Sequence, residues 1–317
     1  MKTARHLMVV LALVAAVSTP AYCWDKYGHM LIAEVAYESM TPAARTQVDS
    51  ILSTLAADPH VSGLEDKYRP YNAVTVAAWM DDMRMSRTDT AAGHTAEFNT
   101  WHYIDLPDGA VTAAEVKAQF DKTDAPNAYE VLVDKCMKAI NDPSMAAADR
   151  VRYIGMFFHL AGDIHQPLHA IGRLKGGNDY KIDPLPAYDP GPDAWHISNL
   201  HAFWDNAYRY DGIDGQVKVV CPYLDMPRTI EPGKGDAKVI VDTIILPYLP
   251  TDKAKLAEKN PAVWAVESHD VATSFAFPKD NGAALSADYV HRAHVIACAR
   301  MALAGWRMAQ VLNAAFK

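Results

Sequence analysis

Two His-x-x-x-Asp pairs constrain this chain more than any other feature: His159 with Asp163 in FHLAGDIHQPLH, and His201 with Asp205 in NLHAFWDN. Residues four apart share one face of a helix. Both pairs sit among apolar and aromatic residues, so the helices carrying them belong in an interior. Burying several unpaired imidazoles and carboxylates is costly. A fold that does so needs a counter-ion there, and neutral imidazole with carboxylate is a set that Zn²⁺ accepts. A single such pair is usually a solvated surface contact. Two, with His169 ten residues past His159, point to a metal centre.

Residues 1–23 read as a secretory signal: Lys2 and Arg5 are basic, Leu7 to Val17 form an apolar run too short to span a bilayer, and a short polar exit follows. Small residues at Ala21 and Cys23 fit cleavage directly before Trp24, which would free its α-amine to chelate a metal together with its own carbonyl oxygen. The other reading is cleavage after Ala21, with Trp24 a core anchor and His29 a helix-surface residue. Residues 24–317 then form a single catalytic domain, because no linker, repeat or low-complexity tract divides them.

Helical signals dominate that domain, so a mainly α, multi-helix bundle is expected, with long loops and at most a small β-hairpin. Thr41-Pro42 reads as a cap followed by a first-turn proline, Thr112 to Glu115 as a capping box, and Asn260-Pro261 as a further helix start. Ser286 to Phe316 has apolar residues at helical spacing, broken by Arg292, Arg300 and Arg307. This predicts an amphipathic terminal helix, since arginines at that frequency are expensive in lipid, and no membrane anchor follows it. Stretches 171–196 and 211–235 are rich in Gly, Pro and Asp and read as loops, with a short hairpin around Gln216 to Cys221. Cys136, Cys221 and Cys298 remain after Cys23 leaves with the signal, which allows at most one disulfide bond, in any of three pairings. No N-glycosylation sequon occurs.

The formal charge is −8, and losing Lys2 and Arg5 takes it to −10. There is no polybasic stripe, so tight wrapping of duplex nucleic acid is not expected. Bound metal would supply positive charge for a phosphate, and substrate would be gripped over one or a few units. Gly-x-Ser-x-Gly, P-loop and Rossmann fingerprints are all missing, which removes motif support for nucleophilic hydrolysis by Ser, NTP hydrolysis and hydride transfer.

Five motifs in order resemble the zinc-dependent single-strand-specific type I nucleases and 3′-nucleotidases, which are related to the trinuclear-zinc phospholipases C. They are Trp24 with His29 in WDKYGHM, Trp79 to Arg84 as W-x-D-x-x-R, Trp101 to Asp105 as W-H-Y-I-D, His159 to His169 as H-x-x-x-D-x-H-Q-P-L-H, and His201 to Asn206 ending in Asp-Asn. The resemblance runs from Trp24 to about Arg209 and thins beyond.

It implies three Zn²⁺ ions: one on Asp81, His102, His159 and Asp163, one on Trp24, His29 and the shared Asp163, and one on His169, His201 and Asp205. Pro167 interrupts the helix and can turn His169 away from the face of His159 and Asp163. His165 lies off that face and is read as a packing or supporting group. The resemblance also implies metal-assisted in-line hydrolysis to 5′-phosphate products. Arg84 would neutralise phosphate charge and Asn206 would hydrogen-bond a substrate oxygen. Tyr103 would stack on a base and Asp105 would accept from it, with Asn178 in a Gly-Gly-Asn loop closing the pocket. A base must leave its stack to be held this way, which selects single strands. Single-stranded RNA and DNA and 3′-nucleotides are the expected substrates, secretion the expected destination, and no obligate protein partner is evident. His60, His94, His196, His269, His291 and His294 fall outside the motifs. A phospholipase C-like enzyme and a non-enzymatic zinc-binding protein are the alternatives. Asp205, where the phospholipases typically carry glutamate, and the Tyr103/Asp105 pair favour nucleotides.

Overall fold

The computed structural model describes residues 24–55, 71–83, 96–119, 125–187, 197–221, 230–279 and 281–317. Residues 1–23, read above as a secretory signal, and Arg84, His60, His94 and His196 lie outside the described residues. In chain order the helices are α1 (Lys26–Ser39), α2 (Pro42–Leu52), α3 (Val76–Asp82), α4 (Ala113–Lys117), α5 (Ala128–Val131), α6 (Lys138–Asn141), α7 (Ala147–Asp163), α8 (Leu200–Asp205), α9 (Gly235–Ile240), α10 (Lys253–Ala257), α11 (Pro261–Val271) and α12 (Ala287–Ala315). Short π-helical turns connect α5 to α6 and extend α9 and α11. The fold is mainly α, and one buried core runs from Trp24 to Phe316.

The helix starts follow from local chemistry. Thr41 accepts from the Ala44 amide with Pro42 in the first turn, Thr112 and Glu115 close a capping box, and Asn260 caps α11 ahead of Pro261. A second capping box, Asn127 with Glu130, opens α5. Every residue of α1 from Tyr27 to Ala36 is buried, the mark of a helix enclosed on all sides. Its broadest neighbour is α12. The two meet backbone to backbone at Gly305, where a Cβ would lie 2.5 Å from the Ile32 carbonyl oxygen.

Helix α12 is long and apolar enough to cross a bilayer, but 72% of its most apolar window is buried within the fold. Its arginines serve that packing. Arg307 forks onto both carboxylate oxygens of Glu267 at 2.7 and 2.9 Å, and Arg300 adds a bond at 2.8 Å.

The hairpin pairs β1 (Tyr210–Ile213) with β2 (Gln216–Val219) in antiparallel register, so it begins ahead of Gln216, within a stretch read as loop. Asp214 and Gly215 both take positive φ, 54° and 74°, the two-residue turn whose twist matches that of the strands. The disulfide does not form: Cys136, Cys221 and Cys298 are buried and free. They behave as small hydrophobes. Burial pushes the Cys221 thiol up to about 11, and the Cys298 sulfur lies 3.7 Å from a ring nitrogen of His294.

Candidate metal centre

Six separate pieces of chain converge on one buried region. His29 comes from α1, Asp81 from α3, His102 from the turn after the 3₁₀ segment Ala96–Thr100, and His159 with Asp163 from the last two turns of α7. Helix α7 stops at Asp163. The 3₁₀ turn Pro167–Ala170 then carries His169 towards α8, which presents His201 and Asp205.

The donor atoms gather into three adjoining groups: His29 with His159 and Asp163, Asp81 with His102 and His159, and His169 with His201 and Asp205, each within 4.8 Å and each wholly buried. Asp163 is the hinge between them. Its Oδ2 lies 3.1 Å from His102 Nδ1 and 3.0 Å from His159 Nε2, while its Oδ1 lies 3.3 Å from His29 Nε2 and 3.4 Å from His169 Nδ1. One carboxylate thus turns one oxygen to His102 and His159 and the other to His29 and His169, a geometry that lets it serve two cations. The rings of His29 and His159 stack at 3.8 Å, and those of His169 and His201 at 5.1 Å.

Backbone carbonyls orient the imidazoles. His159 Nδ1 donates to Ala77 O at 2.6 Å, His169 Nδ1 to His102 O at 2.9 Å, and His201 Nδ1 to Gly176 O at 2.6 Å. Each bond selects the tautomer whose Nε2 lone pair faces the cluster, a support that metal-binding histidines typically have. Gly176 has φ +59°, and a Cβ there would come within 2.6 Å of the Leu168 carbonyl oxygen, so no larger residue can offer that carbonyl without movement. Gln166 donates to Asp205 Oδ1 at 2.7 Å. None of these supporting groups was assigned from sequence. Three of the four are backbone atoms, which no residue pattern reveals. Gln166 was visible in the HQPLH run.

These residues fit a cation. The His29 ring is wholly buried, its Nδ1 makes no hydrogen bond, and its Nε2 meets Asp163 Oδ1 at 3.3 Å without a well-directed one; buried polar groups so poorly satisfied are rare without a ligand. Burial raises the Asp163 carboxyl, but the imidazoles of His159, His29 and His169 outweigh it and hold the group well below the ordinary carboxylate range. Burial, aided by His159, lowers His29, keeping it neutral. Burial lowers His159 too, but Asp163 and Asp81 outweigh it and raise the ring, so a metal bound there would displace its proton.

Asp205 differs. Burial raises it to about 7, against the opposing pull of His201 and Gln166, so it is protonated below that value and carries its charge above it. Protons and metal therefore compete at this group. Zinc affinity there is expected to fall about tenfold per pH unit below about 7, the weight of one displaced proton. Titration against a chromophoric chelator from about pH 5 to about pH 8 measures this, and one affinity throughout would contradict it.

Around the centre, His102 leads directly into Tyr103, which is 36% exposed, and Asp105, also exposed. This segment runs beside His169: Ile104 N donates to His169 O, and Gly172 N to Leu106 O. Asn206 caps α8 and is buried, its amide donating to Ala202 O while Oδ1 makes no hydrogen bond. Asn178 donates to Lys175 O in the left-handed turn that carries Gly176. His165 stands behind the centre, bonded to Ala161 O and Arg307. The structure thus unites Asp81, His102, His159, Asp163, His29, His169, His201 and Asp205. Trp24 is wholly buried, its indole donating to Gly162 O at 3.0 Å.

A mainly helical fold built around three adjoining His–Asp groups defines a candidate multinuclear metal protein. The S1/P1 nuclease family model matches residues 24–317, and the chain belongs to that family. It is 24% identical to nuclease P1 of Penicillium citrinum over 182 residues, spanning 57% of each chain. Against nuclease S1 of Aspergillus oryzae identity is 23% over 222 residues, 70% of this chain and 67% of that protein. Against endonuclease 4 of Arabidopsis thaliana it is 23% over 314 residues, 93% and 90% of the two chains.

Proposed function

We propose that the protein is a secreted zinc-dependent nuclease that hydrolyses single-stranded RNA and DNA to 5′-phosphate products and also removes 3′-phosphates from nucleotides. The observation that carries this reading is Asp163, one buried carboxylate with an oxygen on each of two imidazole groups. Family membership and the names nuclease P1, nuclease S1 and endonuclease 4 support the same chemistry.

Asp81, His102, His159 and Asp163 would hold one Zn²⁺, Trp24, His29 and Asp163 a second, and His169, His201 and Asp205 a third. Bound zinc supplies Lewis-acid chemistry: it lowers the pKa of water towards about 7 and neutralises phosphate charge. The protein's own residues do the rest. Asp163 stays ionised because three imidazoles surround it. Asn206 offers polar amide atoms beside Asp205 for a substrate oxygen, and Arg84, matched by the family motif that also holds Asp81, would neutralise phosphate charge. Tyr103 presents an exposed ring on which an unstacked base can lie, and Asp105 accepts from its N–H groups, with Asn178 at the rim. The thiols of Cys136, Cys221 and Cys298 are buried and raised by that burial, so among the described residues no cysteine offers a thiolate nucleophile. The mature amino terminus is Trp24.

The test compares a single-stranded RNA oligonucleotide with the same sequence as a duplex and identifies the product ends. The single strand is expected to be cut in strong preference, leaving 5′-phosphates. Tyr103→Ala should lower kcat/KM about ten- to a hundredfold, the value of one stacked base, without changing metal content. Equal cleavage of both forms, or unchanged kinetics in the variant, would contradict the reading.

A further inference from the structure

The residue after Trp24 is held far more firmly than a helix cap requires. Asp25 Oδ1 accepts from the Gly28 amide in the first turn of α1 and from the Tyr208 hydroxyl, both at 2.7 Å, while Oδ2 accepts from Arg209 Nε at 2.9 Å and from its Nη2. Arg209 is wholly buried. Its remaining nitrogen donates to Cys221 O at 3.3 Å, and its plane lies over the rings of Tyr208 and Tyr27. A guanidinium taken out of water needs a charged partner, and Asp25, 184 residues away in sequence, is that partner.

The clamp's neighbours show what it positions. On one side of Asp25, the Trp24 indole donates to the carbonyl of Gly162, the residue before Asp163. On the other, the Asp25 amide donates to the carbonyl of Asp205 at 3.2 Å. The Trp24-Asp25 dipeptide is thus tied to two backbone carbonyls, one just before Asp163 and one of Asp205 itself, beside two different groups, and Arg209, four residues past Asp205, closes the loop. A chain terminus frays unless it is tied down. If the mature chain begins at Trp24, its amine would be mobile without such a tie.

We propose that Asp25, Tyr208 and Arg209 form a positioning clamp that seats the amino-terminal residue as a metal ligand, an inference that rests on the three-zinc reading above. The clamp touches neither substrate nor metal. It acts through Trp24, so its loss should empty one zinc site and leave the other two filled.

The experiment counts zinc in the mature, full-length protein after dialysis against a weak chelator, with folding checked by circular dichroism. Wild type is expected to hold three zincs and Asp25→Ala two. Tyr208→Phe, which removes one hydroxyl, should keep three but weaken the most labile about tenfold, as loss of a supporting partner does. Thr41→Ala, which removes the cap of α2 far from the centre, should lower thermal stability with zinc unchanged. Three tightly held zincs in a folded Asp25→Ala protein would overturn the clamp alone, as would equal loss from all sites. If Asp25→Ala does not fold, unchanged affinity in Tyr208→Phe overturns it instead. A wild type with fewer than three zincs overturns the metal reading and the clamp with it.

Discussion

A form of this protein extended by even one or two residues ahead of Trp24 is expected to be nearly inactive on single-stranded RNA, with activity reduced about a hundredfold or more. The reason is chemical. A free α-amine has a lone pair for zinc, whereas a peptide nitrogen in that position is a poor ligand. The terminus cannot escape by moving, because the Trp24 ring is wholly enclosed and its indole is bonded to Gly162 O. Comparing the processed protein with one carrying a protease-resistant extension, sequenced to verify its start, measures the effect. Full activity in the extended protein would remove Trp24 from the ligand set.

Asp163→Asn should be the more damaging of two matched substitutions. Its two oxygens face different imidazoles, Oδ2 towards His102 and His159 and Oδ1 towards His29 and His169. An amide keeps one acceptor and replaces the other with a donor, so it cannot bridge two cations. Two metal sites should weaken together and activity fall by more than about a hundredfold. Asp205→Asn touches only the group with His169 and His201, and should lose one zinc while the other two persist. Equal zinc loss in the two variants would refute the shared role of Asp163.

The parts of the fold legible in sequence were those set by neighbours along the chain. Thr41-Pro42, Thr112 with Glu115 and Asn260-Pro261 start helices where their caps stand, because a side chain three residues away decides the matter. The His-x-x-x-Asp spacings were legible for the same reason. The Asp214-Gly215 turn carried an equally local signal, but the strand before it sits in a Gly- and Asp-rich stretch that reads as loop. The π-helical turns at Leu132–Met137, Val241–Ile245 and Ala272–Ala276 have no such signal. The orienting carbonyls of Ala77, His102 and Gly176 are backbone atoms with no residue preference. The Asp25–Arg209 pair lies 184 residues apart, and only the folded chain brings it together. The arginines of α12 are visible in the sequence, yet their partner Glu267 on α11 could not be read from spacing.

Elemental analysis of the processed, active protein decides whether the centre is trinuclear. Three zincs per chain are expected, with activity lost as they are stripped by exhaustive chelation and regained when zinc is returned. A fully active sample holding one metal ion or none would contradict it.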